Sequence, residues 1–316
     1  MKAIWKTARL ATCGAAVLLA GCAGSLVPIL AIGQENKAPA QKSPESFEGH
    51  VRKDAEQGDA NAQRILGVMY EEGNGVPQDD VEAARWYRKA ADQGNARGQL
   101  DLGMCYEEGR GVPQDFAESL RWYRKAADQG DADAQTLIGN MYDLGRGVPL
   151  DHVESARWYR KAADQGKATA QFNLGVCYAK GEGIPQDYAE AVRWYRRAAD
   201  QGNVNGEYNL GMMHVQGHGV PQDYVEAVRW FRKAADRGDA DAQFNLGISY
   251  ANGRGVPQDY AEAHMWLNLA ASHASGDDLK RYADARESLA KKMTPEQVAE
   301  AQRLAREWKP RGDGQR

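Results

Sequence analysis

Six tryptophans, Trp86, Trp122, Trp158, Trp194, Trp230 and Trp266, follow one another at intervals of 36 residues, and the residues around them repeat with them. A fixed period of this length commits a chain to a repeat architecture, because each copy is one supersecondary unit that buries its apolar faces only against the next. The units run over 59–94, 95–130, 131–166, 167–202, 203–238 and 239–274, without insertions. Each reads as two helices. The first places a small residue, Leu-Gly and an aromatic on one face, as in Ala170, Leu174, Gly175 and Tyr178. It stops at glycines such as Gly181 and Gly183, which suit the positive φ of a helix C-cap. A loop such as Val112-Pro113-Gln114 then leads to Asp115, with Glu118 three residues on, which predicts a capping box in every unit. The second helix buries Ala191, Trp194, Tyr195 and Ala198 at the spacing i, i+3, i+4, i+7. Small residues let the paired helices approach closely, and Trp and Tyr fill the gap to the neighbouring unit. The expected fold is an all-α solenoid of six helix-turn-helix repeats.

Both ends are expected to be capped. Residues 50–58 match the second half of a unit, with His50 where Trp would stand. Residues 275–309 hold two further helical patterns, the second opened by Thr294-Pro295-Glu296-Gln297, and these should cover the last unit. A disordered tail is expected over 310–316.

The first residues read as an export signal. Lys2, Lys6 and Arg9 precede an uncharged Ala/Leu-rich run from Leu10 to Ala20, the length of a signal h-region. Leu19-Ala20-Gly21-Cys22 resembles the lipobox of bacterial lipoproteins, which implies a signal peptide over 1–21 and lipidation of Cys22; Ala23 after it resembles the outer-membrane sort. An uncleaved signal anchor is the competing reading, since no charge occurs from Leu10 through Gln34. Either tethers the body outside the cytoplasm, facing the periplasm. Residues 22–49, rich in Lys, Glu, Pro, Ser and Gln, read as a flexible tether.

Composition removes other classes. Forty Lys+Arg stand against 44 Asp+Glu, and loss of the three N-terminal positives takes the net charge from −4 to −7, so nucleic acid is not an expected partner. Four cysteines in 316 residues do not make a disulfide scaffold.

The unit resembles the Sel-1-like repeat, a relative of the tetratricopeptide repeat. The resemblance is carried by Ala170-Gln171-Phe172-Asn173-Leu174-Gly175 and its copy from Ala242 to Gly247, by Gly73 to Asp79, and by Trp86 to Gly94. It covers about residues 50–274 and implies a right-handed α/α superhelix that binds protein rather than performing chemistry. In such solenoids the first helix of each unit lines the concave face, where a ligand would be read. One column there is Arg64, Leu100, Thr136, Phe172, Tyr208, Phe244; four residues on it is Val68, Met104, Asn140, Val176, Met212, Ile248. With Glu71, Glu72, Glu107 and Glu108 beyond them, the groove is expected to be acidic at its N-terminal end and apolar-aromatic at the other. Asn173, Asn209 and Asn245 resemble the asparagines with which tetratricopeptide domains hold a peptide backbone; bonding to a neighbouring turn is the alternative. The expected ligand-binding residues are Phe172, Asn173, Val176, Tyr208, Asn209, Met212, Phe244, Asn245 and Ile248, with Phe172, Tyr208 and Phe244 partly exposed.

Signals for chemistry are weak. Ser288-Leu289-Ala290-Lys291 fits Ser-x-x-Lys, but Ser-Asp-Asn and Lys-Thr-Gly are missing from the chain. Some Sel-1-like proteins carry a β-lactamase label and a paired Cys in each unit; here Cys105 and Cys177 stand two units apart and read as buried inert thiols. His214 and His218 have metal-pair spacing, but Gly217 ends the helix between them. Arg160-Lys161 reads as a solvated helix face. No cofactor, metal or catalytic residue is expected. The function expected is a non-enzymatic envelope scaffold binding a protein or peptide on the concave face; the alternative is a cell-wall or β-lactam hydrolase.

Overall fold

A computed structural model describes residues 47–310, which form α-helices and no strand. The export segment with Cys22, the tether up to residue 46 and residues 311–316 lie outside the described residues. Helix α1 is Phe47–Glu56. Six helix pairs follow: α2 (Ala60–Glu72) with α3 (Asp80–Asp92), α4 (Ala96–Glu108) with α5 (Phe116–Asp128), α6 (Ala132–Leu144) with α7 (His152–Asp164), α8 (Ala168–Lys180) with α9 (Tyr188–Asp200), α10 (Val204–Gln216) with α11 (Tyr224–Asp236), and α12 (Ala240–Asn252) with α13 (Tyr260–His273). Then come α14 (Gly276–Ala290) and α15 (Pro295–Glu307). Each helix packs chiefly on its neighbours in sequence, and α14 and α15 both pack on α13. The molecule is an all-α solenoid of paired helices with capping helices.

Local chemistry sets the helix ends. Asp59, Asn95, Asp131, Asn203 and Asp239 each accept a hydrogen bond from the backbone N–H three residues on, which satisfies one otherwise orphaned donor. Lys167 at the same place in the fourth unit cannot, and instead pairs with Asp133 across the unit boundary. Lys167→Asn supplies the missing acceptor and gives up only a partly exposed ion pair, so the melting midpoint should rise, by about 0.5–1 kcal/mol of stability in a urea titration. At the other end Gly181, with φ 74°, donates its N–H to the Cys177 carbonyl.

The second helices differ from expectation in one respect. Asp79 and its equivalents do accept from the backbone of the first turn. The glutamate does not reach back, because the N–H it would bond is already taken: Asp79 donates to the Tyr70 carbonyl and Asp115 to that of Tyr106, both at 2.9 Å. Glu82, Glu118, Glu154, Glu190 and Glu226 instead pair with the arginine three residues on. In the sixth unit Met265 replaces that arginine, and Glu262 accepts from Trp266 Nε1 at 3.0 Å. The reciprocal box forms at α15, between Thr294 and Gln297.

Within a unit the helices touch at glycine. A Cβ on Gly175 would lie 2.7 Å from the Tyr195 ring; Gly67, Gly103, Gly139 and Gly211 face the equivalent ring in their units, and Gly247 faces Leu267. Between units the loop after the first helix rests on the start of the preceding second helix. At Gly147, φ 70°, a Cβ would come within 2.6 Å of the Phe116 carbonyl oxygen, a backbone atom with nowhere to go. Gly147→Ala therefore adds left-handed strain to an inter-unit clash and should cost about 2–4 kcal/mol. Gly166→Ala, also at positive φ but with open space around it, should cost about 1 kcal/mol in the same denaturation assay.

A buried glutamine ladder also joins the units. Gln99 donates to the Ala91 carbonyl and accepts from Gln129, and Gln63, Gln135 and Gln171 accept likewise from Gln93, Gln165 and Gln201. In the fifth unit both members change together, to Glu207 and Arg237. Arg160, expected on a solvated face, lies over the Tyr178 and Trp194 rings of the next unit at 5.5 and 5.1 Å, because the guanidinium is the right length to bridge the unit boundary.

Candidate binding groove

The first helices place their second variable column where it is half-buried: Val68, Met104, Asn140, Met212 and Ile248, with Val176 at 9% exposure. The column four residues earlier turns inward toward the second helix of its own unit. Phe172 is 1% exposed and packs on Tyr195, ring centroids 5.8 Å apart; Tyr208 is 6% exposed and packs on Phe231 at 5.9 Å. The expected partial exposure of these two rings is therefore corrected, and they are core. Leu100 and Thr136 in the same column are buried as well. Phe244 is half-buried because the capping helix lies over it: Tyr282 stacks on it at 4.6 Å with the Arg281 guanidinium 5.2 Å away. Ile248 packs in a cluster with Leu267 and Leu289, so the C-terminal end of the groove is roofed by α14.

The asparagines part company. Asn173 is buried and donates to Asn140 Oδ1 at 3.2 Å, Asn209 is fully buried, and Asn245 is half-buried and donates to the Asp241 carbonyl one turn back. The acidic end is largely neutralised within the fold. Glu71 accepts from the Tyr87 hydroxyl and pairs with Arg110, and Glu107 accepts from Tyr123 at 2.7 Å and lies 3.6 Å from Arg146. Burial, then Glu71, pushes the Tyr87 hydroxyl far above the usual tyrosine range. Asp101 holds Arg64 at 2.6 Å, yet burial still raises its pKa.

Cys105 and Cys177 are free and buried, and desolvation pushes both thiols up to about 12. At that value the thiolate is scarce and nucleophilic chemistry is suppressed. His214 is buried, and desolvation, then Arg196, lowers its pKa; His218 stacks on Tyr188 at 4.5 Å. Ser288 and Lys291 are exposed near the end of α14. The fold also brings together two sets not foreseen from sequence. Trp158, half-buried where its five equivalents are all buried, borders an open hollow with Arg157, Arg160 and Lys161. Asp143, His152 and Glu182 offer ligand atoms within 4.8 Å of one another. A sequence signal existed for the second set, since Glu182 stands where neighbouring units have Arg110 and Arg146.

The Sel1 repeat family model matches residues 60–95, 96–131, 132–167, 168–203, 204–239 and 240–275. The chain belongs to the Sel1 repeat family. The matches begin one residue later than the units read from the tryptophan period. Among solved structures, the array is similar to a protective antigen present in uropathogenic Escherichia coli strains and displaying an SLR fold: 37% identity over 82% of this chain, with a TM-score of 0.72. It spans 56% of that longer protein. It is also similar to a Sel1 repeat protein from Oxalobacter formigenes, at 32% identity over 70% of this chain and 87% of that one, TM-score 0.63. No curated protein matches the chain.

Proposed function

We propose that this Sel1 array is a non-catalytic scaffold of the bacterial cell envelope that holds a protein or peptide along its first helices. The observation that carries this reading is the half-buried column Val68, Met104, Asn140, Met212. These side chains occupy equivalent places on successive helices, differ from unit to unit, and are half-buried rather than enclosed in the core. Phe172, Asn173, Val176, Tyr208 and Asn209 form the floor that positions this strip, and Phe244, Asn245 and Ile248 bound it under α14. Export and lipidation at Cys22 are part of the proposal and rest on the N-terminal sequence. None of the helices in the described residues is long and apolar enough to cross a membrane.

The test is crosslinking and pull-down from solubilised envelopes. Met104→Glu with Met212→Glu should leave the melting midpoint within a few degrees and reduce recovery of the partner about tenfold or more, since charges would be set against a desolvated contact. Undiminished recovery would move the binding surface off the first helices. Nitrocefin turnover by the purified chain, abolished by Ser288→Ala, would establish the hydrolase alternative instead.

A further inference from the structure

The junctions between units follow one rule, and the junction between the third and fourth units breaks it. At each junction three positions meet: one at the end of a first helix, one at the start of the following second helix, and one in the loop of the next unit. Between units one and two Glu71 pairs with Arg110. Between two and three Glu107 faces Arg146 at 3.6 Å, and Arg146 lies over the Phe116 ring at 5.9 Å. Between four and five the first carboxylate is replaced by Ala179, and His218 stacks on Tyr188. Between five and six Val215 replaces it, and Arg254 lies over Tyr224 at 5.8 Å. Thus a carboxylate in the first position is met by arginine, and without the carboxylate the loop residue simply covers an aromatic ring.

Between three and four the first position keeps its carboxylate, Asp143, but the loop supplies Glu182 and the ring position supplies His152. Two carboxylates converge where the two preceding junctions place a carboxylate and a guanidinium. His152 Nδ1 lies 3.0 Å from Asp143 Oδ1, and Lys180, from the same unit as Glu182, lies 3.5 Å from Glu182 Oε2. The three side chains are 34–38% exposed, so water can complete a coordination sphere from outside. One imidazole and two carboxylates are the donor set of a divalent transition metal, zinc above all. Tetrahedral coordination at about 2.0–2.2 Å separates ligand atoms by about 3.4 Å. The Asp143–His152 pair is already close to that, and Glu182 needs to move little more than one ångström from a set lying within 4.8 Å.

We propose that Asp143, His152 and Glu182 bind a divalent transition metal such as Zn²⁺, which takes the place of the junction arginine and clips the third unit to the fourth. The ion supplies the positive charge that Arg110 and Arg146 supply elsewhere, and in doing so ties α6, α7 and the loop after α8 together. The three ligands come from two units, so metal binding and stacking of those units are linked.

The arginine rule also provides the test. Zn²⁺ titrated into the full chain by calorimetry should show a saturable one-to-one site and raise the melting midpoint. Glu182→Arg restores the residue type of the two preceding junctions, so in chelator it should melt at or above the wild type while its Zn²⁺ affinity falls by about tenfold or more. His152→Tyr, the residue of the next junction, should lose affinity similarly without unfolding. Co²⁺ spectra should show d–d bands without the thiolate charge-transfer band that Cys ligation would give. Equal Zn²⁺ binding by the wild type and Glu182→Arg, a thiolate band, or no saturable site in the wild type would each overturn the proposal.

Discussion

Replacing Phe172, Tyr208 and Phe244 together by alanine should unfold the fourth to sixth units. Phe172 and Tyr208 are 1% and 6% exposed, and truncating a buried aromatic costs about 3–5 kcal/mol through lost transfer energy and an unfilled cavity. Phe244, half-buried beneath Tyr282, adds less. The sum rivals the whole stability of an ordinary domain, about 5–15 kcal/mol. In a linear array the loss falls where the residues are, so the N-terminal units should persist. The expected result is a biphasic melt, partial loss of helical circular dichroism, and rapid hydrogen exchange confined to residues after about 167. Trp194→Ala, which empties a slot between units with only 4% exposure, should cost a comparable 3–5 kcal/mol by itself. A triple variant with native melting would mean that these rings are surface and that the groove extends over them.

Deleting whole units should separate into two classes according to the junction created. Removing 95–130 sets Glu71 against Arg146, the same pairing as the native Glu71–Arg110, so a shorter and cooperative array should form. Removing 131–166 sets Glu107 against Glu182 with Phe116 in place of His152, which leaves two carboxylates facing each other with neither arginine nor imidazole. That variant should be less stable than the first by about 1–2 kcal/mol at neutral pH, and the gap should narrow as the carboxylates protonate. Removing 18 residues should abolish cooperative melting, because an unpaired helix would present the wrong face to its neighbours. Equal stability of the two 36-residue deletions would show that the junction charges contribute nothing.

The repeat phase, the two-helix unit and the helix stops were legible in the sequence because each depends on local pattern. Apolar spacing places Trp194 and Tyr195 on one face, Gly181 takes a left-handed cap, and Thr294 with Gln297 closes a box within four residues. The predicted capping boxes of the second helices failed for a non-local reason. The N–H of Asp115 goes to Tyr106 across the loop, and Glu118 is left to pair with Arg121.

The variable columns of the first helices were legible in the sequence, but which of them keeps exposed surface was not. Positions four residues apart lie on adjoining parts of one helix face, so the pattern alone does not say whether Phe172 or Val176 points more deeply inward; the packing of Tyr195 and the roof formed by α14 decide it. The glutamine ladder and its Glu207–Arg237 exchange join residues 30 apart, and the Asp143, His152, Glu182 set joins two units. The amino-acid sequence by itself determined that the chain is a six-unit all-α array, because a 36-residue period and helical spacing are properties of neighbours along the chain. Which polar side chains become partners, and which apolar ones keep exposed surface, was decided only when stacking brought equivalent positions of successive units together, since hydrogen bonds and burial depend on distance in space.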